Sequence, residues 1–83
     1  MKVNVTLRYL QKTLVEIKTT EEVDKNCTAG ELSARIIRDH SQKEGINFTG
    51  ASIAVLVNGR LAKDDLPLKD NDEMKIMPVA AGG

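Results

Sequence analysis

The last two residues of the sequence, Gly82 and Gly83, have the clearest chemical potential. They follow Ala80-Ala81, so the sequence ends on four small residues without a packing side chain. Because glycine lacks a Cβ, such a tail can bring a terminal carboxylate through a narrow cleft towards a nucleotide phosphate. The competing interpretation is a frayed terminus, which most domains have.

The sequence has one cysteine, Cys27, and one histidine, His40, whose side chains could also be reactive. Cys27 precedes a predicted helix N-terminus, a setting that can lower a thiol pKa, but the only histidine available as a base is His40. A lone cysteine also excludes an internal disulfide and a four-thiolate metal site. We expect an inert thiol, and a structural His40 in the last turn of the helix, where imidazolium suits the negative end of the dipole.

A cluster of acidic residues lacks the fixed spacing and turn glycine of a calcium loop. We therefore predict a solvated turn and no metal site. Since no nucleophile with a base, and no metal cluster, is present, we also expect that the protein is not an enzyme. The acidic residues are Asp64, Asp65, Asp70, Asp72 and Glu73.

The length and charge of the chain limit the kinds of partner and function that are expected. The 83 residues support one domain, and 41% hydrophobic with 29% charged residues is the balance of a folded globular protein. Twelve basic and twelve acidic residues cancel, which argues against nucleic acid and anionic membranes as partners. The longest uncharged apolar run, Ile53 to Val57, is too short to cross a bilayer, and the N-terminus has no signal-peptide architecture. We expect a cytoplasmic protein.

The first half of the chain predicts two strands and a helix. Alternation predicts a strand over Lys2 to Arg8, and β-branched residues predict a second strand over Val15 to Val23, after a polar break at Gln11 to Thr13. Thr28 and Glu31 form a capping box, in which the Glu31 carboxylate is expected to reach the Thr28 backbone N–H. The helix is predicted from about Ala29 to about His40, ending before Gly45.

The second half predicts a hairpin and a last strand. Ile53 to Val57 runs into Asn58-Gly59, the dipeptide best suited to a type I′ turn, and the chain returns through Arg60 to Ala62. Pro67 excludes a central strand, so we predict a loop that turns Leu66 and Leu68 inward. Glu73 to Val79 alternates as the last strand.

The resulting order is strand, strand, helix, strand, strand, strand. We predict an α+β fold of the β-grasp type, with a mixed sheet of about five strands and one main helix on one face. The first and last strands should lie side by side at the sheet centre. Residues 1–79 would form the domain and residues 80–83 a flexible di-glycine tail.

The predicted turn at Asn58-Gly59 also assigns the faces of the sheet. Val55 and Val57 should face the helix, as should Met74 and Ile76 in the last strand. An apolar patch would then remain on the open face near the base of the tail, where it would suit a partner. Isolated surface hydrophobes are the competing interpretation. The patch consists of Leu56, Leu61 and Met77.

Four segments have a distinctive sequence: Val57-Asn58-Gly59, Leu66 to Met74, Pro78-Val79 and Gly82-Gly83. With the strand order and length of the whole chain, they resemble the ubiquitin-like sulfur-carrier family, which includes the small subunit of molybdopterin synthase and the thiamine-pathway sulfur carrier. The resemblance implies a carrier protein and not a catalyst.

The resemblance also implies roles for the tail. An activating enzyme would use ATP to adenylate the carboxylate of Gly83, and sulfur would then displace AMP to leave a thiocarboxylate. Gly82 and Ala81 would provide steric clearance. The protein would bind no cofactor itself, since ATP is consumed by the activating enzyme. The sulfur acceptor would be a synthase subunit, either the molybdopterin synthase large subunit or thiazole synthase.

Two departures leave the acceptor open. Molybdopterin members usually have an arginine-containing loop where this chain has Tyr9 to Thr13, and many have one residue where it has Ala80-Ala81. Relatives of the same fold are attached to lysines, so a protein modifier conjugated through Gly83 is a second hypothesis. A ubiquitin-like binding module that is never activated is a third, and it would need only the sheet surface.

Overall fold

A mixed sheet of five strands, covered on one face by a helix, forms the described part of the chain. The structure is a computed structural model that describes residues 1–45, 48 and 52–79. The sheet has the strand order β2-β1-β5-β3-β4, which confirms the predicted β-grasp arrangement. The elements are β1 (Lys2–Gln11), β2 (Thr13–Glu22), α1 (Ala29–Glu44), β3 (Ser52–Val57), β4 (Arg60–Leu61) and β5 (Glu73–Val79).

The two central strands, β1 and β5, are parallel, with Asn4 beside Glu73 and Leu7 beside Ile76. The β2 strand pairs antiparallel with β1 on one side, and β3 pairs antiparallel with β5 on the other. Because parallel strands end at the same end of a sheet, the turn after β1 and the last residue of β5, Val79, share one end.

The core follows the predicted alternation. Val55, Val57, Met74 and Ile76 are all buried under the helix, as the sequence predicted. Aliphatic side chains supply nearly all of this burial, and Tyr9 adds an aromatic ring at one end. The buried hydrophobic residues are Val3, Val5, Leu7, Tyr9, Val23, Ala29, Leu32, Val55, Val57, Leu68, Met74 and Ile76.

The first hairpin is longer than predicted. The polar segment at Gln11 to Thr13 is a tight turn, because Lys12 adopts a positive φ of 59° and lets the chain reverse at once. Pairing therefore continues to Gln11 opposite Thr13. It also places Leu10 opposite Leu14, and these side chains are 76% and 54% exposed.

The helix begins at the predicted cap and ends one turn later than predicted. Thr28 Oγ1 accepts from the Glu31 N–H at 3.3 Å. The predicted return bond was wrong in its donor, since the Glu31 carboxylate accepts from the Thr28 hydroxyl at 3.3 Å. The helix continues past His40 to Glu44, because Gly45 is the first residue to adopt the left-handed conformation, with φ of 68°.

The loop before β5 packs its backbone against the start of the helix. The Ala29 N–H donates to the Leu66 carbonyl and the Leu68 N–H donates to the Cys27 carbonyl, each at 2.9 Å. Leu68 is buried at 3% exposure, as predicted, but Leu66 is 37% exposed. Leu66 was expected inside, yet it closes a turn with Lys63, and its carbonyl is the group that meets the helix.

A close approach explains the glycine at the second position of the helix. The Gly30 N–H donates to the Asp64 carbonyl at 2.9 Å. A Cβ on Gly30 would lie 2.8 Å from the Asp64 Cβ and 2.9 Å from its carbonyl oxygen. Only a residue without a side chain allows the loop to reach the helix terminus here.

Two of the acidic side chains accept hydrogen bonds, one from a backbone N–H and one from a turn residue. Asp70 Oδ1 accepts from the Lys2 N–H at 2.8 Å. Asp72 Oδ1 accepts from Asn58 Nδ2 at 2.9 Å, and Asn58 Oδ1 accepts from the Glu73 N–H at 3.0 Å. These bonds tie the β3–β4 turn to the start of β5. Within residues 1–45, 48 and 52–79, no group of three histidine, cysteine or acidic side chains is placed to hold a metal ion.

The α1 helix is neither long nor apolar enough to cross a membrane, and the described part of the chain offers no other helix that is.

We predict that Thr28→Ala lowers the free energy of unfolding by about 1 kcal/mol, because the Glu31 N–H loses its cap acceptor. Thr28→Ser keeps a hydroxyl and should remain close to the native value. Urea denaturation followed by circular dichroism measures both. Equal stability of the alanine variant and the native protein would contradict the assigned helix start.

Candidate functional site

The predicted reacting group lies outside the described residues, as do Ala81, Gly82 and Gly83. The structure describes the strand that leads to them. The β5 strand lies between β1 and β3, and its own side chains Met74 and Ile76 are buried. A tail that follows β5 therefore begins at one of the most firmly held strands of the sheet.

The predicted apolar patch lies on the open face of the sheet. Leu56 is directly opposite Leu61, and Ala54 is directly opposite Met77. Leu56 and Met77 are then diagonal neighbours, about 7 to 8 Å apart at their Cα atoms. Leu61 is 79% exposed, while Leu56 and Met77 are half-buried. The three residues thus lie together on one surface, as the face assignment predicted.

Distance from the tail differs within the patch. Met77 is two residues before the end of β5, whereas Leu56 is level with Lys75, four residues before it. At about 3.3 Å per residue, Leu56 and Leu61 lie about 13 Å from the end of the strand. Met77 therefore lies near the end of β5, as predicted, whereas Leu56 and Leu61 do not.

A cleft with both polar and apolar lining begins at Leu56 of the patch and was not predicted as part of the site. Its volume is about 420 Å³. Lys75 lies between Leu56 on β3 and Thr6 on β1, so it places an amine beside the apolar groups. Alternation had already placed Lys75 outward, and this was the available signal. The cleft is lined by Asn4, Thr6, Leu56, Asn58, Gly59, Glu73, Met74 and Lys75.

A second apolar pair, Leu10 and Leu14, lies at the end of the sheet where β5 finishes. Both residues project from the open face, because Val5, Leu7 and Tyr9 occupy the buried positions of β1. The strand predicted from the sequence ends at Arg8, so this pair was not predicted. Continued alternation through Leu10 was the signal.

His40 has a structural environment. Its Nε2 atom is hydrogen-bonded to the Tyr9 hydroxyl at 2.8 Å, and the two ring centroids are 5.5 Å apart. Phe48 also packs edge-on against Tyr9, with ring centroids 5.4 Å apart. The predicted position was wrong, since His40 lies four residues before the end of the helix at Glu44. Its contact is the tyrosine and not the helix terminus.

Cys27 does not have the environment of a reactive thiol. Burial raises the pKa of Cys27, and the Glu31 carboxylate raises it further, while Arg35 acts in the opposite direction. Burial and the Glu31 carboxylate thus act against the lowered thiol pKa that a nearby helix start can cause. The thiol lies 3.6 Å from the Thr28 carbonyl oxygen, to which it donates.

Comparison with known proteins gives a family and a fold. The model of the ThiS family matches residues 1–83. No curated protein matches the chain.

Solved structures with the same fold have low sequence identity. SAMP1 from Haloferax volcanii is 18% identical with a TM-score of 0.61, and the match covers 96% of this chain and 99% of that one. A protein described as molybdopterin converting factor, subunit 1, from Pyrococcus furiosus is 20% identical with a TM-score of 0.62, covering 93% and 98%. The ubiquitin of Caldiarchaeum subterraneum is 17% identical with a TM-score of 0.57, covering 100% and 98%. These likenesses confirm the β-grasp fold.

We predict that Cys27 reacts more slowly with iodoacetamide in the folded protein than in the urea-unfolded protein at the same pH. A raised pKa means less thiolate at any pH below it, and thiolate is the reacting form. The rate of alkylation, followed by intact mass between pH 7 and pH 9, measures this. Faster reaction in the folded state would show that the helix start activates the thiol after all.

Proposed function

The chain belongs to the ThiS family, and we propose that it is a sulfur carrier protein whose Gly83 carboxylate is adenylated and converted to a thiocarboxylate. The observation that carries this proposal is the match of the family model over residues 1–83, glycine pair included. Members of this class of small ubiquitin-like protein are carriers and not catalysts. The proposed location is the cytoplasm.

The chemistry needs only a carboxylate from this chain. A carboxylate oxygen of Gly83 would attack the α-phosphorus of ATP, and pyrophosphate would leave. The product is a mixed anhydride with AMP, in which the carbonyl carbon is electrophilic because AMP is a good leaving group. A sulfur nucleophile would then attack that carbon and release AMP. The activating enzyme supplies the ATP site, and this chain is its substrate.

The fold supports this role because a rigid domain precedes a tail of limited length. Four residues follow Val79, and a fully extended chain of that length spans at most about 14 Å. When the protein is docked on the activating enzyme, the end of β5 must therefore lie within about 14 Å of the adenylation site. Since β3 pairs with β5 as far as Val79, while the pairing with β1 reaches Ile76, the end of β5 is fixed to the sheet through β3.

The open face provides the proposed docking surface. Met77 lies closest to the end of β5, and Leu56 with Leu61 extends the apolar contact towards the β3–β4 edge. Lys75, which lines the adjoining cleft together with Leu56, adds an amine beside the apolar groups. This combination suits a partner surface that is apolar with an acidic group nearby.

The final acceptor distinguishes the candidate functions. We propose a synthase subunit as acceptor, either the molybdopterin synthase large subunit or thiazole synthase. The second candidate is a modifier that is conjugated to lysines through the same activated carboxylate. The observation that favours it is the shared fold with SAMP1, a small archaeal modifier protein. A binding module without activation would use the open face alone.

We predict that Leu61→Arg and Met77→Arg each raise the KM for this protein in adenylation by about tenfold or more. An arginine placed in an apolar contact must be desolvated, and tenfold corresponds to about 1.4 kcal/mol. The assay is ATP–pyrophosphate exchange with a cognate activating enzyme.

The matched control is Gln42→Arg, which adds the same charge on an exposed position of the helix, on the opposite layer. Leu61→Arg and Gln42→Arg should keep the native free energy of unfolding within about 0.5 kcal/mol, because both side chains are exposed. Met77 is half-buried, so Met77→Arg should lose more stability but stay folded. If the two patch variants and the control have the same KM, the docking surface is elsewhere.

We predict that one residue added after Gly83 abolishes exchange, because it removes the reacting carboxylate. Gly82→Val should impair exchange strongly through steric obstruction of the cleft. Neither change should alter the urea denaturation curve. After sulfur donation, the intact mass of the native protein should show one carboxyl oxygen replaced by sulfur.

The acceptor is tested in the same way with protein purified from its native host. A thiocarboxylate mass supports the carrier, and lysine conjugates support the modifier. If the extended protein supports exchange as well as the native one, or the native one never does, both hypotheses fail and the binding module replaces them.

A further inference from the structure

The outer edge of β2 is long and unpaired within the described part of the chain. The strand runs for ten residues from Thr13 to Glu22, and β1 covers one side of it. It contains no proline and no glycine, and its register with β1 runs without a bulge from Gln11–Thr13 to Lys2–Glu22. Exposed edges of soluble proteins are usually shortened, interrupted or charged, and on β2 only charge is present, through Glu16, Lys18, Glu21 and Glu22. The opposite edge, β4, has only two residues.

From this edge we propose that β2 pairs antiparallel with β2 of a second copy of the chain, in a register centred on Ile17, so that two five-stranded sheets become one. A two-fold axis perpendicular to the sheet relates the copies. Residue Ile17 then lies opposite Ile17 of the second copy.

Charge complementarity selects this register. Glu16 and Lys18 lie on the open face, and the register centred on Ile17 places each opposite the other residue of the second copy. Thr13 would lie opposite Glu21, and Val15 opposite Thr19, so no like charges meet.

Neighbouring registers are disfavoured. Centring on Glu16 or on Lys18 places that residue opposite itself, and centring on Thr19 places Glu16 opposite Glu22. A register centred on Thr20 also places unlike charges opposite each other, Lys18 and Glu22, but it pairs only five residues of the strand. The register centred on Ile17 pairs nine residues, from Thr13 to Glu21.

The charged groups are available for this exchange. Within one copy, Glu16 Oε1 is 3.8 Å from Lys18 Nζ, and Glu16 Oε2 is 3.9 Å from Arg8 Nε. These are long contacts between exposed side chains, which contribute little stability on their own. A facing strand would give Lys18 a second carboxylate without removing a strong pair.

The helix side of the same edge also has apolar surface to cover. A groove of about 280 Å³ lies between β2 and α1, with half-buried Ile17 and Ile36 in its lining. In the proposed register, Ile17 of the second copy adds an aliphatic side chain beside this groove. Burial of these groups would add to the hydrogen bonds of the new strand pair.

The proposed pairing leaves the docking surface accessible. Leu56, Leu61 and Met77 belong to β3, β4 and β5, and β4 forms the opposite edge of the sheet. The dimer does not depend on sulfur carriage, and its failure would leave the proposed function unaffected.

The first experiment is sedimentation equilibrium of the full chain from about 10 µM to about 1 mM, a range chosen because a small interface gives weak association. We expect a reversible monomer–dimer equilibrium. Glu16→Lys and Lys18→Glu should each weaken it by about tenfold or more, because each creates two like-charge pairs across the two-fold axis.

The double variant Glu16→Lys/Lys18→Glu restores unlike pairs and should dimerise like the native protein. Lys63→Glu, an equal charge reversal on an exposed loop residue, is the matched control and should have no effect. Urea denaturation of each variant at low concentration checks that the monomer is folded. A native protein that stays monomeric, or a double variant as weak as the single ones, overturns the proposal.

The second experiment tests the register. In a Cys27→Ser background, Ile17→Cys places the two introduced thiols opposite each other, and facing residues of antiparallel strands have Cα separations of about 4.5 to 5.5 Å, within the range of a disulfide. We expect a covalent dimer under mild oxidation. Thr19→Cys faces Val15 and should cross-link at least tenfold more slowly. Equal cross-linking at both positions would contradict the register.

Discussion

The parallel pairing of β1 with β5 is the constraint on which the rest of the structure depends. It joins the first and last strands of the domain, so their side chains Val5, Leu7, Met74 and Ile76 become the centre of the core. Two hairpin-like halves can share one sheet in this way only if a crossover connects them, and α1 is that crossover. Because the helix covers one face, the other face remains open. The proposed carrier function uses both consequences, a firmly held strand before the tail and a free surface beside it.

Much of this fold is predictable because its signals are local. Alternation identified the first and last strands, and β-branched residues identified the second. Asn58-Gly59 identified the turn, and Thr28 identified the cap of the helix. The differences have causes that such signals do not contain. Lys12 adopts a positive φ without being glycine, which extended the first hairpin beyond its predicted end. Leu66 was predicted inside by hydrophobicity, but its backbone carbonyl, and not its side chain, contacts the helix. The Leu66 outcome is decided by a tertiary contact, and the Lys12 outcome by a backbone conformation that the residue type does not signal.

The candidate site was predictable in part for the same reason. Side chains alternate between the two faces along a strand. The turn at Asn58-Gly59 therefore placed Leu56 and Leu61 on the open face, and the alternation of the last strand placed Met77 there. The separation of Leu61 from the end of β5 requires the register between strands, which the sequence does not specify. The pKa of Cys27 likewise depends on burial and on the Glu31 carboxylate, both of which arise only when the chain folds. The tail residues themselves remain predictions from sequence and family.

The central strand pair also determines how the domain responds to mechanical force. Adjacent parallel strands point the same way, so Met1 lies at one end of the sheet and Val79 at the other. Tension applied between these two points would load the hydrogen bonds between β1 and β5 in shear, all at once, instead of opening them one by one. Forced unfolding depends on the rate of crossing the unfolding barrier and not on equilibrium stability. A small domain of modest stability can therefore resist pulling along this axis far better than pulling across it.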